Sequence, residues 1–184
     1  MSATKIMLIR HAEKPTPDGS IKGVTIAGAE DDKELSVRGW QRAGALVRFF
    51  APANDVFSHQ ALAKPEFLFA PKIGSPSKSV RSLRTLQPLA EFLQKDIIQD
   101  HPEGGEAELA GAAIASSGHV LIAWEHKALP LIARAITRDA TITPGHWPEH
   151  RFDLVWVLDR RGENWAFTQV PQFLLAGDGA DVID

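Results

Sequence analysis

The sequence predicts an α/β fold: a mainly parallel central sheet with helices on both faces. Short, continuously apolar segments recur along the chain, as they do in strands that are buried on both faces of a parallel sheet. Segments with helical periodicity separate them, which implies right-handed crossover connections. The last two strand-like segments flank a short polar turn, and this pattern predicts an antiparallel C-terminal hairpin at the edge of the sheet.

Length and composition are those of one ordinary globular domain, and we expect residues 1–184 to form it. The net charge of -3 provides no basic field, so we expect no binding to nucleic acid or to membranes. The chain has no cysteine, which excludes thiolate metal sites and a cysteine nucleophile. Its first ten residues lack the pattern of a signal peptide, and we therefore expect a cytoplasmic protein.

The first apolar segment, residues 5–10, predicts a strand that ends near His11. Residues 13–34 contain two prolines and three glycines. They predict a long loop, and a loop of that length in a compact domain is often functional. Helix one follows, with Ser36 as its N-cap. Its polar side carries Arg38, Arg42 and Arg48, and we expect these arginines to be solvated.

The rest of the chain alternates strands and helices up to the terminal hairpin. The helix that begins near Ser79 contains Pro88, which predicts a kink or a restart because proline removes a backbone hydrogen bond. Residues 177–184 are predicted to be frayed. The predicted elements are strands over 66–70, 96–99 and 119–124, helices from 79 and over 106–115 and 129–136, and a hairpin over 152–170.

Polar residues follow strands one and four at the sheet edge where such folds bind ligands. Arg10 and His11 end the first strand, and Glu125 and His126 end the fourth. The loop after strand two opens toward the same edge and leads to a helix that carries Arg81. We therefore expect two histidines and two arginines to meet in one crevice.

This set of residues is what phosphoryl transfer through a covalent enzyme intermediate requires. A neutral imidazole attacks phosphorus directly, and nearby cations favour the neutral form. The planar fork of arginine matches phosphate oxygens. A second histidine offsets charge that develops in the transition state. The scheme needs no metal and no cofactor.

Four segments resemble the histidine phosphatase superfamily, the phosphoglycerate-mutase-like proteins. Arg10-His-Ala-Glu13 is similar to its Arg-His-Gly signature, with Ala12 in place of the usual glycine. The matches occur in the order of the family and span residues 5–136. The other three are Leu35-Ser-Val-Arg-Gly39 with Gln41-Arg-Ala43, the segment from Ser77 through Arg81 and Thr85 to Ala90, and Val120-Leu-Ile-Ala-Trp-Glu-His126.

By this resemblance, His11 is the phosphorylated nucleophile. The resemblance also implies that Arg10, Arg81 and His126 complete the phosphate pocket and that Arg84 lies outside it. Lys14 and Ser77 are candidates for substrate binding. Because Lys127 follows His126, the chain lacks the His-Asp pair of the acid phosphatase and phytase branch.

The acid that protonates the leaving oxygen remains open at this point. Its candidates are Glu13, Glu103, Glu106 and Glu125. Without such an acid, substrates with good leaving groups are favoured, such as phosphohistidine and acyl or aryl phosphates.

The sequence thus predicts a metal-independent phosphatase that acts on a phosphorylated small molecule or a phosphoprotein. A mutase is one alternative, although it needs a closed pocket and the large covering insertions of the family are missing. A catalytically silent phospholigand-binding protein of the same fold is the other. Trp147, Trp156 and Trp165, in and near the hairpin, are expected to pack the sheet against its helices or to form a homodimer surface.

Overall fold

The computed structural model describes residues 3–75 and 77–184. These residues contain six strands and four helices, joined by loops. The strands are β1 (Ala3–Arg10), β2 (Phe67–Phe69), β3 (Ile97–Ile98), β4 (Gly118–Trp124), β5 (Leu154–Arg161) and β6 (Asn164–Pro171). The helices are α1 (Val37–Phe50), α2 (Arg81–Leu93), α3 (Glu106–Ala115) and α4 (Leu129–Thr137). Every predicted element is present, with ends shifted by a few residues.

All six strands form one sheet in the order β3-β2-β4-β1-β5-β6. The strands β3, β2, β4 and β1 run parallel to one another. The strand β5 pairs antiparallel with β1, and β6 pairs antiparallel with β5. The predicted α/β fold is confirmed, including the C-terminal antiparallel pair at the edge of a mostly parallel sheet.

The strand β1 lies at the centre of the sheet and is covered on both faces. Met7 and Ile9 pack in the core beside α1 and α2, whereas Ile6 and Leu8 pack in the core beside α3 and α4. Because successive side chains point to opposite faces, a strand covered on both faces reads as continuously apolar.

The helices α1 and α2 depart from the prediction in two details. Ser36 caps α1 as predicted, because its hydroxyl accepts a hydrogen bond from the amide of Gly39. Arg42, expected in solvent, is buried among acidic partners that sequence spacing alone does not reveal. The helix α2 continues through Pro88, so the predicted restart is wrong, and a kink at this proline stays a prediction.

The C-terminal residues are docked on the sheet, so the prediction that 177–184 are frayed was wrong. Ile183 is 5% exposed, and its backbone exchanges hydrogen bonds with the side chain of Gln169 on β6. The carboxylate of Asp178 accepts bonds from Arg42. These partners are distant in sequence, and local composition therefore gave no signal for them.

The three tryptophans near the hairpin are buried. The rings of Trp147 and Trp156 lie 4.9 Å apart. They therefore pack within the core, and the alternative that they form a homodimer surface was wrong. In the described ranges, no helix combines the length and the apolar character that crossing a membrane requires.

Candidate active site

A polar cavity of about 270 Å³ lies where β1 and β4 end. The described residues that line it are all polar or charged. They include five of the six predicted site residues: His11, Lys14, Ser77, Arg81 and His126. The sixth, Arg10, is buried and is not part of the lining. The other lining residues are Ser79, Ser82, Glu103, Glu125, Lys127 and Glu149.

Three hydrogen bonds fix His11 and the residue after it. The amide of His11 donates to the carbonyl of Trp124 at 3.0 Å, which extends the pairing of β1 with β4. The amide of Ala12 donates to the hydroxyl of Thr85 in α2 at 2.8 Å. The Nδ1 atom of His11 lies 2.8 Å from the carbonyl oxygen of Ala12. A carbonyl only accepts, so Nδ1 carries the proton and Nε2 keeps its lone pair.

Both histidines of the cavity are neutral at neutral pH. Burial, reinforced by the charge of Arg10, lowers the pKa of His11 to about 3. Burial and the same arginine lower the pKa of His126 to about 4. The neutral ring is the nucleophilic form of an imidazole, so the site holds His11 in the protonation state that a nucleophile needs.

Arg10 provides a buried positive charge beside the two histidines. One of its terminal nitrogens, Nη1, donates to the backbone carbonyls of Glu149 and Arg151, and the guanidinium lies 3.8 Å from the ring centroid of Phe152. Within the described ranges, Nε and Nη2 have no hydrogen-bond partner. Burial lowers the pKa of Arg10 to about 10, so it remains charged at neutral pH. A buried cation with unused donors is suited to an anionic oxygen.

Arg81 lines the cavity from the first residue of α2. Its Nη2 donates to the carbonyl of Asp32 at 2.6 Å and its Nε to that of Glu34 at 3.4 Å, so the long loop 13–34 orients it. Arg84 instead pairs with the carboxylate of Glu34 at 2.9 Å and also donates to Gln87. One turn of helix thus separates a cavity arginine from a structural one.

The carboxylates that the sequence left open occupy different environments. Glu13 binds Arg42 and Arg38, and Glu106 accepts bonds from the Trp124 indole and the Gly104 amide. Neither lines the cavity, whereas Glu125 and Glu103 do. Burial raises the pKa of the Glu103 carboxyl. A hydrogen bond from Ser77 lowers this pKa, whereas the negative charge of Glu125 raises it further. Burial therefore favours the protonated form of Glu103.

Lys14 and Glu149 form an ion pair of 2.8 Å within the lining of the cavity. Sequence reasoning missed Glu149 because it lies in an irregular segment rich in proline and histidine, with no motif to mark it. Its backbone carbonyl also holds Arg10, so this segment contributes twice to the site.

The sequence matches no protein-family profile, and it matches no curated protein significantly. Solved structures nevertheless share its fold. A protein of Agrobacterium tumefaciens assigned as the phosphohistidine phosphatase SixA aligns with 91% of this chain and 97% of its own, at 16% identity and a TM-score of 0.53. A mycobacterial glucosyl-3-phosphoglycerate phosphatase aligns with 90% and 97%, at 12% identity and a TM-score of 0.53. The phosphoserine phosphatase of Entamoeba histolytica aligns with 92% and 97%, at 13% identity and a TM-score of 0.50.

The chain has the histidine phosphatase fold. The resemblance inferred from four short segments is thus confirmed for the architecture. The histidine phosphatase fold accounts for the position of the cavity at the carboxyl ends of β1 and β4. Function belongs to the residues of the site and is argued from them.

Proposed function

We propose that the protein is a metal-independent phosphatase that hydrolyses phosphomonoesters through a phosphohistidine at His11. One observation carries the proposal: His11 is a neutral imidazole whose Nδ1 proton is held by a backbone carbonyl, in a cavity that also contains Arg81 and His126. This arrangement leaves Nε2 as the nucleophile and surrounds it with groups that bind phosphate oxygens.

In the first step, the Nε2 lone pair of His11 attacks phosphorus and the bond from phosphorus to the ester oxygen breaks. Arg81 binds the equatorial oxygens, where negative charge develops. Arg10 is buried beside His11 and outside the lining, and we propose that its unused donors reach the same oxygens once phosphate occupies the cavity. In the second step, water attacks phosphorus, the bond to Nε2 breaks, and inorganic phosphate leaves a neutral His11.

We assign the general acid to Glu103. Its raised pKa favours the protonated carboxyl, which donates its proton to the leaving oxygen in the first step. The resulting carboxylate accepts a proton from the attacking water in the second step, so the proton balance closes over one turnover. Glu13 and Glu106, held by other partners, are not assigned this role.

The size and chemistry of the cavity favour a small hydrophilic substrate. Its volume of about 270 Å³ lies below the range of about 300–1,000 Å³ that is usual for drug-sized ligands. Among residues 3–75 and 77–184, no apolar side chain lines it. A phosphate group with a small polar leaving group fits this space better than a lipid or a nucleotide. Lys14 and Ser77 line the cavity, and we propose that they contact that leaving group.

The test is hydrolysis of an aryl phosphate by the purified protein and by His11→Ala, with EDTA present in both reactions. Phosphate bound to the protein is scored after a quench, since phosphohistidine is labile to acid and stable to base. We expect turnover and label in the wild type and neither in His11→Ala.

Two other results would contradict this function. Transfer of the label to an acceptor alcohol in preference to water would indicate a mutase. Tight vanadate binding without turnover or label, on aryl phosphates and on a panel of small phosphomonoesters, would indicate a phospholigand-binding protein.

A further inference from the structure

We propose that residues 178–183 form a C-terminal strap that positions Arg10 for phosphate binding, with Asp153 and Arg151 as the positioning residues. This inference rests on the proposed function of the cavity. The strap itself contributes no residue to the cavity lining. It acts through a chain of three contacts.

The first contact holds Arg10. Its Nη1 donates to the carbonyls of Glu149 and Arg151, and its guanidinium lies against the ring of Phe152. Because the guanidinium is planar and rigid, fixing one nitrogen and one face also fixes the directions of Nε and Nη2. Segment 149–152 therefore sets the direction in which the unused donors of Arg10 point.

The second contact holds that segment, which is neither helix nor strand. The guanidinium of Arg151 donates from Nε to Asp153 at 2.8 Å and from Nη2 to the carbonyl of Asp181 in the strap at 2.7 Å. The indole of Trp147 donates to the carbonyl of Arg151 at 2.9 Å. An irregular segment without these bonds would have few other restraints on its backbone.

The third contact ties the strap to the sheet. Asp153 is buried and uses both carboxylate oxygens, one for Arg151 and one for the amide of Gly179 at 2.7 Å. Ile183 is anchored to Gln169, whose amide nitrogen donates to the Ile183 carbonyl at 2.6 Å. Asp153 thus joins the strap to the residue whose carbonyl holds Arg10.

A positioning role has a consequence that a purely structural role lacks. A misplacement of about 1 Å in a binding group lowers catalysis by about 10²-fold. A change at Asp153 should therefore weaken phosphate binding specifically through Arg10. It should have no such effect once the guanidinium of Arg10 has been removed.

The experiment is a double-mutant cycle on the full chain that measures the dissociation constant of inorganic phosphate by calorimetry. We expect Asp153→Asn to weaken phosphate binding about tenfold, a change of about 1.4 kcal/mol. In the Arg10→Gln background the same substitution should change the dissociation constant by less than about twofold, which is the signature of coupled residues. Asp139→Asn, at an exposed turn outside the cavity lining, is the matched control and should have no effect in either background.

Equal effects of Asp153→Asn in both backgrounds, or no effect in the wild-type background, would overturn the positioning role. If Asp153→Asn fails to fold, Arg151→Lys replaces it, because it keeps a charge for Asp153 and loses the fork that also reaches Asp181. Because the measurement is binding, it also separates the two proposals. If the wild type binds phosphate but does not hydrolyse esters, the proposed function is contradicted. The double-mutant cycle still tests the positioning role, because it measures only phosphate binding.

Discussion

The Nδ1 atom of His11 lies 2.8 Å from the carbonyl oxygen of Ala12, the next residue in the chain. The bond is local, so it forms whenever β1 delivers His11 to the end of the sheet with this backbone geometry. It fixes both the tautomer and the orientation of the ring, since rotation of the imidazole would break it. A single backbone carbonyl therefore determines which nitrogen keeps its lone pair.

We predict from this bond that the trapped phosphoenzyme carries its phosphate on Nε2 of His11 and none on Nδ1. Phosphorylation of Nδ1 would require the loss of the bond to Ala12 and exposure of a buried atom. Phosphorus-to-proton correlation NMR of the quenched protein distinguishes the two isomers. A signal from the Nδ1 isomer would contradict the assigned tautomer.

We predict that Glu103→Gln slows hydrolysis of alkyl phosphates by about 10² to 10⁴-fold, the usual contribution of a general acid. Aryl phosphates should be affected much less, because a phenolate leaves without a proton. The measurement compares kcat/KM for one alkyl and one aryl substrate across pH. In the wild type, the alkyl rate should fall as pH rises past the raised pKa of Glu103.

The matched control for this prediction is Glu108→Gln, an exposed carboxylate in the first turn of α3. It removes the same charge from the same region without touching the cavity lining. Equal losses on alkyl and aryl substrates in Glu103→Gln would argue against a role for Glu103 as the acid.

The elements were predictable because each leaves a local signal. Strand β1 is apolar on both faces because both faces are covered, and Ser36 caps α1 through its own side chain. The two histidines were predictable for the same reason, since His11 directly follows β1 and His126 comes two residues after the end of β4. Parallel strands then bring their ends to one edge.

Features that depend on distant partners were not predictable. Arg42 was expected in solvent because its spacing places it with other polar residues, and only the fold brings Asp178 and Glu13 to it. The docking of Ile183 on Gln169 has the same origin. Glu103 likewise could not be singled out from the four candidate carboxylates, because its burial depends on the fold and no local pattern encodes it.

We predict that Arg81→Ala weakens phosphate binding by about 10 to 10²-fold, the range expected for losing charged hydrogen bonds of about 1.5–3 kcal/mol. Arg84→Gln, one turn along α2, should leave phosphate affinity intact. It should instead lower the free energy of unfolding by about 1–3 kcal/mol, because it leaves the buried carboxylate of Glu34 without its cation. Calorimetry with phosphate and urea unfolding separate the two outcomes, and a loss of phosphate affinity in Arg84→Gln would contradict the assignment.

We predict that acid destabilises the protein partly through His11. Its pKa in the folded protein is about 3, against about 6.5 when unfolded, so below pH 6.5 the unfolded chain binds more protons. Stability is therefore unaffected by His11 above that pH and falls as pH decreases from 6.5 toward 3. Urea unfolding of the wild type and of His11→Gln at pH 7.5 and pH 5 tests this. The variant should lose less stability between the two values, and an equal loss would contradict the shifted pKa.

A pair of glycines in α1 tests how closely the helix packs on the segment that follows the nucleophile. A Cβ at Gly39 would lie 2.3 Å from the carbonyl oxygen of Glu13, which already accepts bonds from the amide and hydroxyl of Ser36. Gly39→Ala should therefore displace Glu13, two residues from His11, and destabilise the protein by about 1–3 kcal/mol.

Gly44 lies in the same helix with nothing within 4 Å of the added Cβ. Gly44→Ala should stabilise the protein by about 0.5–1 kcal/mol, because alanine loses less backbone entropy in a helix. Aryl phosphate turnover should fall in Gly39→Ala and stay unchanged in Gly44→Ala. If both variants kept full turnover and gained stability, the close approach of α1 to Glu13 would not constrain the position of His11.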